Sequence, residues 1–513
     1  MVLAAICLLA SILAYGYWYF YRLSTYWERR GIPSVPGTFL LGNAKALWQR
    51  AHPVLYVTRE WGKQFGKVFG GREGTHLTLF ISDVEMVHEV LVTQFDRFYR
   101  RKGSFLVPDP EHHERVNLFD SNGIKWKRLR LTAAPSFSSA SLKKVLPCAA
   151  VSARTFMEYL DAHKDGTPFN IHELFLEYTM DAICRMVKGQ KEPRFFKNPF
   201  VKIVKEVFFR DLDLFINYAN MAFPFLHKPT LFLLSIITTQ INGPINRMFD
   251  EVGAVVEERL RERETSPEAA KSRPQDFIDF FIDNSDPTKL KGVNEDEHSF
   301  RLAGTVDKKL TKMEVISQAT IFIIAGFETT ANALGYVAWQ LSQHPEVVKK
   351  MQAEVDDLCT EEDISFETLG QLRYIEAVLK EGTRFFPVAG IGNSRKCTKT
   401  TTIKGLVVEE GTQIQIDTLG LHFDKEIWGD DAEQFNPDRW LDPERRVPPS
   451  AYLGFGAGPR ICVGMRLALM EMKLVFALMM RKYSIEKAVD SIDVQGTITL
   501  VPMATPVRIV PRE

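Results

Sequence analysis

The segment from Phe455 to Gly464 constrains the fold of this chain more than any other feature of its sequence. It reads FGAGPRICVG and runs directly into the helical pattern MRLALMEMKLVFALMM, so Cys462 lies where a glycine-rich loop meets a helix N-terminus. Free N–H groups of the first helical turn and the positive end of the helix dipole favour a thiolate at that position. Because glycine has no Cβ, the loop backbone can pass close to a flat ligand. The segment therefore predicts a thiolate that faces a flat ligand.

Other roles for Cys462 are weighed against this one. A zinc site would need three more ligands, and no other cysteine or histidine lies in the flanking residues. A catalytic cysteine nucleophile requires a paired histidine as its base. Met465 and the residues after it supply no base, but spacing alone leaves this role open. A buried structural cysteine is the ordinary role of a lone thiol, and it does not account for the glycine-rich pattern around this one.

The same residues resemble the haem-binding signature of the cytochrome P450 superfamily, F-x-x-G-x-R-x-C-x-G. The fixed positions are all matched, by Phe455, Gly458, Arg460, Cys462 and Gly464. The resemblance implies haem b as the cofactor, with Cys462 as the axial ligand of the iron, Arg460 facing a propionate and Gly456 in the same haem-binding loop. A thiolate ligand donates electron density that promotes cleavage of the O–O bond on the opposite side.

A second motif lies in the helical run Ile321–Trp339, well over a hundred residues before the cysteine. Its AGFETT sequence resembles the oxygen-activation motif of the family, which implies that Thr329 and Glu328 are the catalytic acid–alcohol pair. The small pair Ala325–Gly326 leaves room for dioxygen, and the Thr329 hydroxyl can bond the carbonyl of the preceding turn. Helical spacing predicts one shared face for Ile321, Ala325, Glu328 and Thr329.

Two further motifs predict a buried ionic network. Glu381 and Arg384 match the E-x-x-R motif of the family, and Arg439 lies in FNPDRW, which is similar to its F-x-P-x-R-F/W element. A carboxylate can accept a bidentate bond from one guanidinium while it touches a second one. We therefore assign these three residues a structural role.

More cations are expected to face the two haem propionates. Trp126 and Arg130 resemble the W-x-x-x-R pair of the helix beside the haem, and their i, i+4 spacing presents two donors on one face. Arg395 matches another propionate-binding arginine of animal microsomal members. By resemblance, the substrate pocket draws on small or apolar side chains: Ile321, Ile324, Ala325, Thr329, Val388 and Ala389.

The N-terminus predicts a membrane anchor. The run Val2–Tyr21 carries no charge, is about as long as a bilayer-spanning helix, and ends in aromatic residues followed by arginines. A cleaved signal peptide is the competing interpretation, but a basic segment before the run and a small-residue cleavage site after it are both missing. We predict a signal-anchor transmembrane helix at 1–21, a basic and proline-rich hinge at 22–37 and a catalytic domain at 38–513.

Composition and periodicity define the class of the body. Lys+Arg 64 balance Asp+Glu 64, so the chain has no overall basic field for nucleic acid, and six cysteines without a C-x-x-C pair predict no disulfide framework. Helical patterns recur at Leu174–Val187, Ile245–Arg261, Lys312–Gln343, Pro345–Leu358 and DFIDFFID; short strands are predicted at His76–Ile81, Gln413–Asp417 and within Gly496–Val510. The predicted fold is mainly α with a minor β region, and the resemblance implies the roughly triangular helical body of a cytochrome P450.

The expected function is that of a haem-thiolate monooxygenase, which inserts one oxygen atom from O2 into a lipophilic lipid, steroid or xenobiotic. Two alternatives stay open: an oxygen-independent haem-thiolate isomerase or lyase acting on a lipid peroxide, and a catalytically idle haem- or lipid-binding membrane protein. Retention of Glu328 and Thr329 favours the monooxygenase, since an isomerase does not need the acid–alcohol pair.

The chain has no flavin or nicotinamide fingerprint, so it must take electrons from a partner. The resemblance implies the NADPH-dependent flavoprotein reductase of the same membrane, with cytochrome b5 as a further donor, and single-pass placement in the endoplasmic reticulum membrane with the catalytic domain in the cytosol. A basic patch is either a solvated face or the docking site of an acidic donor: Lys125, Lys127, Arg128, Lys143 and Lys144. The apolar segment Phe208–Ile237 is either core helix or a roof over the cavity that also dips into the bilayer.

Overall fold

The computed structural model describes residues 1–102, 114–208, 213–230, 243–268, 275–284 and 310–512. The helices are α1 (Val2–Ser24), α2 (Ala44–Leu47), α3 (Val54–Phe65), α4 (Val84–His88), α5 (Gly123–Ala133), α6 (Ser139–Asp161), α7 (Ile171–Lys188), α8 (Pro199–Phe208), α9 (Phe215–Ala222), α10 (Gly243–Thr265), α11 (Phe277–Asn284), α12 (Lys312–Gln343), α13 (Pro345–Leu358), α14 (Phe366–Gln371), α15 (Arg373–Phe385), α16 (Thr418–His422), α17 (Lys425–Trp428) and α18 (Met465–Lys482). The strands are β1 (Val68–Glu73), β2 (His76–Ile81), β3 (Phe169–Asn170), β4 (Arg395–Lys396), β5 (Thr401–Ile403), β6 (Leu406–Val408), β7 (Gln413–Ile416), β8 (Tyr483–Lys487), β9 (Val494–Gln495), β10 (Val501–Pro502) and β11 (Pro506–Pro511). The prediction of a mainly α fold with a minor β region is confirmed.

The long helix α12 lies at the centre of the core. It packs along α7 and also meets α10 and α15. Thr311 caps its N-terminus: the Thr311 hydroxyl accepts from the Glu314 N–H, and the Glu314 carboxylate accepts from the Thr311 N–H. Gly382 lets α15 approach closely, since a Cβ built there would lie 2.4 Å from Cγ2 of Val337. Although α12 is long and apolar enough to span a membrane, most of it is buried inside the protein.

The predicted helices are present. Lys312–Gln343 and Pro345–Leu358 have the predicted bounds, whereas Leu174–Val187 and Ile245–Arg261 are the inner parts of the longer α7 and α10. The DFIDFFID sequence forms most of α11. Apolar periodicity located these helices because each buries one face in the core.

The main sheet has the strand order β1-β2-β7-β4. Strands β1 and β2 form an antiparallel hairpin, β7 runs parallel to β2, and β4 pairs antiparallel with β7. The predicted strand at His76–Ile81 is β2, and β7 ends one residue earlier than predicted because Asp417 caps α16 by accepting from the Gly420 N–H at 2.9 Å. The region predicted as terminal β, Gly496–Val510, contains β10 and most of β11.

Helix α1 is exposed along nearly its whole length and is long and apolar enough to cross a membrane. It ends at Ser24, three residues beyond the uncharged run. Near its C-terminal end, the Phe20 ring lies 6.1 Å from the ring of Phe223, centroid to centroid. The predicted hinge 22–37 packs on the sheet: the buried Trp27 donates from Nε1 to the Gly71 carbonyl at 2.9 Å.

Candidate active site

A cavity of about 270 Å³, counted as the space that the centres of water molecules can reach, lies beside α12. Its wall is formed by α12, α5, the start of α18 and the loop that carries Cys462. Apolar side chains make up most of this wall, among them Leu118, Phe119, Phe277 and Phe322. The cavity therefore offers an apolar environment around one thiol.

The loop before α18 is shaped by two glycines in left-handed backbone conformation. The φ angles are 77° at Gly456 and 65° at Gly458, and a Cβ at Gly458 would lie 1.9 Å from the Leu91 carbonyl oxygen. Only glycine fits there. The Cys462 N–H donates to the Phe455 carbonyl at 2.9 Å, so the loop closes on itself and exposes the cysteine side chain to the cavity.

The Cys462 thiol is subject to opposing influences on its pKa. The surrounding protein removes solvent from the thiol, and this burial raises its pKa above the ordinary value. The Gly464 N–H and the positive charges of Arg130 and Arg101 act in the opposite direction. The exposed surface of this side chain is thus internal, and its neighbours favour a negative charge on the sulfur.

Four arginines, Arg101, Arg130, Arg395 and Arg460, form a cationic cluster at this site. Burial lowers the pKa of every one of them, and the charges of the other three lower the pKa of Arg460 further. Three buried guanidinium atoms of this cluster have no hydrogen-bond partner among the described residues: Nε of Arg101, Nε of Arg395 and Nη1 of Arg460. Buried positive charge of this kind is costly without anions. The cluster therefore fits a ligand with two negative groups.

Arg460 is oriented by the segments before α5. Its guanidinium lies over the ring of the buried Trp126, 4.6 Å from the ring centroid. It donates to the carbonyl oxygens of Tyr99 at 2.8 Å and Ser121 at 2.7 Å. Arg460 and Trp126 thus reach the cavity wall as a stacked pair.

Glu381, Arg384 and Arg439 form a fully buried network. Glu381 Oε1 accepts from Arg384 Nη2 at 2.8 Å and from Arg439 Nε at 2.9 Å, while Oε2 accepts from Arg384 Nε and from Trp440 Nε1, both at 2.9 Å. Arg384 also donates to the His422 carbonyl at 2.6 Å. These bonds account for both carboxylate oxygens of Glu381, as a structural ion pair requires.

His422 connects this network to the loop that carries Cys462. Its Nδ1 lies 2.8 Å from the Arg384 carbonyl oxygen, which only accepts, so Nδ1 carries the proton. Its Nε2 accepts from the Leu453 N–H at 2.8 Å, and Leu453 lines the cavity. Burial lowers the pKa of His422 to about 3, which keeps the ring neutral and the Nε2 lone pair available.

Helix α12 presents a different face to the cavity from the one predicted. Ile321, Ala325 and Thr329 line it, but Glu328 does not: Glu328 is 1% exposed, and its Oε1 accepts from the Thr499 hydroxyl at 3.4 Å. Successive helical residues are about 100° apart, so Glu328 lies well to one side of Thr329. The prediction of one shared face is wrong for Glu328, and for the same reason Ile324 lies outside the cavity wall next to Ala325.

The small residues of α12 have two roles. Thr329 donates from its hydroxyl to the Ala325 carbonyl at 2.6 Å, the backward bond that was predicted. A Cβ at Gly326 would lie 2.8 Å from Cδ1 of Ile183, so this glycine admits α7 as well as lining the cavity.

Comparison with known proteins places the chain in a family. The model of the cytochrome P450 family matches residues 33–507. The chain belongs to the cytochrome P450 family. Its relatives include two proteins of Caenorhabditis elegans: cytochrome P450 cyp-13B1 is 36% identical over 100% of this chain and 99% of its own length, and cytochrome P450 CYP13A8 is 37% identical over 97% and 96%.

As a cytochrome P450, the chain is a haem-dependent oxygenase that uses O2 and a redox partner. The cavity fits iron protoporphyrin IX: its wall is largely apolar and carries one thiol, and the arginine cluster keeps three guanidinium atoms without a partner among the described residues, which suits two propionates. Haem, when bound, would supply the chemistry of dioxygen activation.

Most residues predicted from the sequence lie in the cavity wall of this cytochrome P450: Cys462, Arg460, Arg130, Trp126, Phe455, Gly456, Gly464, Ala325, Gly326, Thr329, Ile321, Val388 and Ala389. Gly458, Arg395, Glu328 and Ile324 are not among the wall residues. Four residues of the cavity wall were missed by sequence reasoning: Arg101, Phe119, Phe277 and Glu471. Arg101 stands in the basic run RRK, typical of a solvated surface, and Glu471 lies on an apolar helix, where nothing in the sequence reveals that it faces a cavity.

Proposed function

We propose that this cytochrome P450 is a membrane-anchored monooxygenase that inserts one oxygen atom into a lipophilic lipid, steroid or xenobiotic and releases the other as water. The observation that carries the proposal is the apolar wall beside Cys462, with Phe119, Phe277 and Phe322. Burying apolar ligand surface contributes about 25 cal/mol per Å², so such a wall selects lipophilic molecules. By this proposal Ile321, Val388 and Ala389 contact the substrate.

The haem is held, in this proposal, by Cys462 as the axial ligand of the iron. The propionates bind the cationic cluster and Trp126, and Arg101 joins the arginines proposed from the sequence. Guanidinium atoms of Arg101, Arg395 and Arg460 that lack a partner in the described part of the chain support this assignment. Arg395 is outside the cavity wall but lies close enough for its charge to lower the pKa of Arg460.

Proton delivery is proposed for Thr329 and Glu328. The Thr329 residue lines the cavity and its hydroxyl is anchored on the Ala325 carbonyl, so it can orient a water molecule within the cavity. Burial raises the pKa of Glu328 to about 8, which makes it a proton donor near neutral pH. Because Glu328 is outside the wall, its proton would reach Thr329 through water.

The proposed electron donor is an NADPH-dependent flavoprotein reductase in the same membrane, with cytochrome b5 as a second donor. The predicted basic patch is smaller than its sequence suggested. Arg128 forms an ion pair with Glu314, and Lys143 forms one with Glu367. Arg128 and Lys143 therefore have acidic partners within the chain.

We propose a single-pass location in the endoplasmic reticulum membrane, with the catalytic domain in the cytosol. Helix α1 supports the anchor, and Arg22, Arg29 and Arg30 support cytosolic placement of the catalytic domain. Within the described part of Phe208–Ile237, Phe215 is 86% and Phe225 is 75% exposed. These rings support the second membrane contact; residues 209–212 and 231–237 of that segment lie outside the described residues.

The proposal is tested by turnover of the membrane-reconstituted protein with reductase, NADPH and ¹⁸O2 against a panel of lipids, steroids and xenobiotics. We expect products heavier by one ¹⁸O atom, with NADPH consumed. Conversion of a lipid hydroperoxide without NADPH or O2 would instead establish the isomerase or lyase activity.

A further inference from the structure

We propose that Asn332, His172 and Thr499 are positioning residues that hold the Glu328 carboxyl group with one oxygen tethered and the other available for proton exchange. This inference rests on the proton-donor role in the proposed function. The four residues come from α12, α7 and the segment before β10, and all of them are buried. Their geometry specifies the orientation of each group.

The Asn332 amide has a defined orientation. The Leu500 carbonyl oxygen can only accept, so the group 3.1 Å from it is the Asn332 Nδ2 donor. The Oδ1 atom then faces His172 Nε2 at 2.8 Å, and His172 must donate from Nε2. A rotation of this amide by 180° would break both bonds. Gly335 makes room for the imidazole, since a Cβ there would lie 3.2 Å from His172 Cδ2.

The Glu328 carboxyl group lies one helical turn before Asn332, so the two side chains are neighbours on α12. The Asn332 amide and the Thr499 hydroxyl both stabilise its anion, and Thr499 donates to Oε1 at 3.4 Å. The Oε2 atom has no hydrogen-bond partner in the part of the chain that the structure describes. The carboxyl group is therefore held at one oxygen, and the other retains its full capacity to bind a proton or a water molecule.

The segment that supplies Thr499 is attached to the cavity. The Leu500 N–H donates to the Val388 carbonyl at 2.8 Å, and Val388 is part of the cavity wall. A displacement of this wall would therefore move both Thr499 and the acceptor of the Asn332 amide. The orientation of Glu328 is coupled in this way to the shape of the proposed substrate pocket.

Among the described residues, few charged groups influence the pKa of Glu328. Lys205 of α8 favours the carboxylate, and burial lowers the pKa of His172 to about 4, so the imidazole is neutral at physiological pH. Tyr336, on α12 itself, is fully buried and its pKa is raised by burial, so it too is neutral. Burial therefore raises the pKa of Glu328, and the hydrogen bonds from Asn332 and Thr499 are the main influences that oppose this rise.

The test measures the pKa of Glu328 itself, in haem-loaded ferric protein without an electron donor. Infrared spectra between pH 5 and 10 give the C=O band of the protonated carboxyl group, identified by its loss in Glu328→Gln. Removing a donor to the anion in Thr499→Val is expected to raise the pKa by about 0.5 to 1 unit, the shift that corresponds to one net hydrogen bond. Thr497→Val is the matched control, because Thr497 is a buried threonine of the same segment whose hydroxyl has no partner among the described residues.

The role of His172 is tested by two variants. His172→Phe removes the donor that orients Asn332 and is expected to raise the Glu328 pKa, whereas His172→Gln retains an N–H donor and restores it towards the wild-type value. An unchanged pKa in both Thr499→Val and His172→Phe would overturn the inference. If instead these shifts occur but Glu328→Gln releases no more hydrogen peroxide in turnover than wild type, the positioning inference stands and the proton-donor role fails.

Discussion

The two sides of the active site are built on opposite principles. On the Cys462 side, backbone hydrogen bonds close the loop. The carboxylate oxygens of Glu381 and the ring nitrogens of His422 all have hydrogen-bond partners. One carboxylate oxygen of Glu328 has no partner among the described residues. Burial raises the pKa of this acid to about 8, so it is mostly neutral below that pH. Satisfied networks resist rearrangement, whereas a partly satisfied carboxyl group can change protonation. The comparison indicates that the Glu381 and His422 groups on the Cys462 side are fixed in place, whereas the carboxyl group of Glu328 is free to titrate.

The largest effect is expected from Cys462→Ser, which removes the only side chain of the loop that can act as a soft ligand. The strongly red-shifted Soret band of the ferrous carbon monoxide complex should disappear, because only a thiolate donates enough charge to produce it. The absorption spectrum of the reduced protein with carbon monoxide checks this. Survival of the band would assign the ligand to another residue and remove the basis of the comparison.

Arg384→Leu is expected to destabilise the protein by about 3–5 kcal/mol, since it leaves Glu381 buried without its bidentate partner. The midpoint of urea unfolding, followed by tryptophan fluorescence, measures the change. Lys350→Met is the matched control: Lys350 pairs with Asp438 at 2.7 Å, but both side chains are about half exposed. That pair should contribute about 0–1 kcal/mol. Similar losses for the two variants would contradict a special rigidity of the Glu381 network.

His422 predicts a dependence of stability on pH. Its pKa is about 3 in the folded protein and about 6.5 in the unfolded chain. Protonation therefore favours unfolding: the contribution of neutral His422 is complete above the unfolded pKa and is lost as the pH falls towards 3. Between pH 7 and pH 5 the loss is about 2 kcal/mol. In denaturant titrations at both pH values, the wild-type protein should lose about 2 kcal/mol more unfolding free energy than His422→Gln. An equal loss in both proteins would show that another group titrates.

The smallest effect on stability is expected from Thr329→Ala, about 0.5 kcal/mol or less, because its hydroxyl bonds only a carbonyl that already lies in a helix. Its effect should appear in coupling, with more hydrogen peroxide and less product formed per NADPH consumed. Thr320→Val is the control, since the Thr320 hydroxyl is buried on the same helix without a partner among the described residues. Equal coupling in Thr329→Ala and wild type would refute its proton role and favour the isomerase.

Residue patterns predicted the parts of the molecule that depend on local spacing. The bounds of α12, the loop that presents Cys462 and the set Glu381, Arg384 and Arg439 all follow from short motifs, because helix periodicity and glycine conformations are local properties. Even the backward bond of Thr329 follows from its place one turn after Ala325. The family resemblance carried the expectation of haem, which the match to the family supports.

Tertiary structure decided which neighbours these residues acquired. Periodicity predicted one face for Glu328 and Thr329, but in the fold Glu328 lies outside the cavity wall, and its carboxyl group meets Thr499 of a distant segment. Likewise, Arg101 became part of a buried cationic cluster although its basic run is typical of a surface, and His172 met Asn332 across 160 residues of chain. The sequence alone determined the helices and the loop that carries Cys462, because their interactions join residues close together in the chain. The proton affinity of Glu328 and the charge balance around the cavity were decided only by the fold, because they depend on burial and on distant partners.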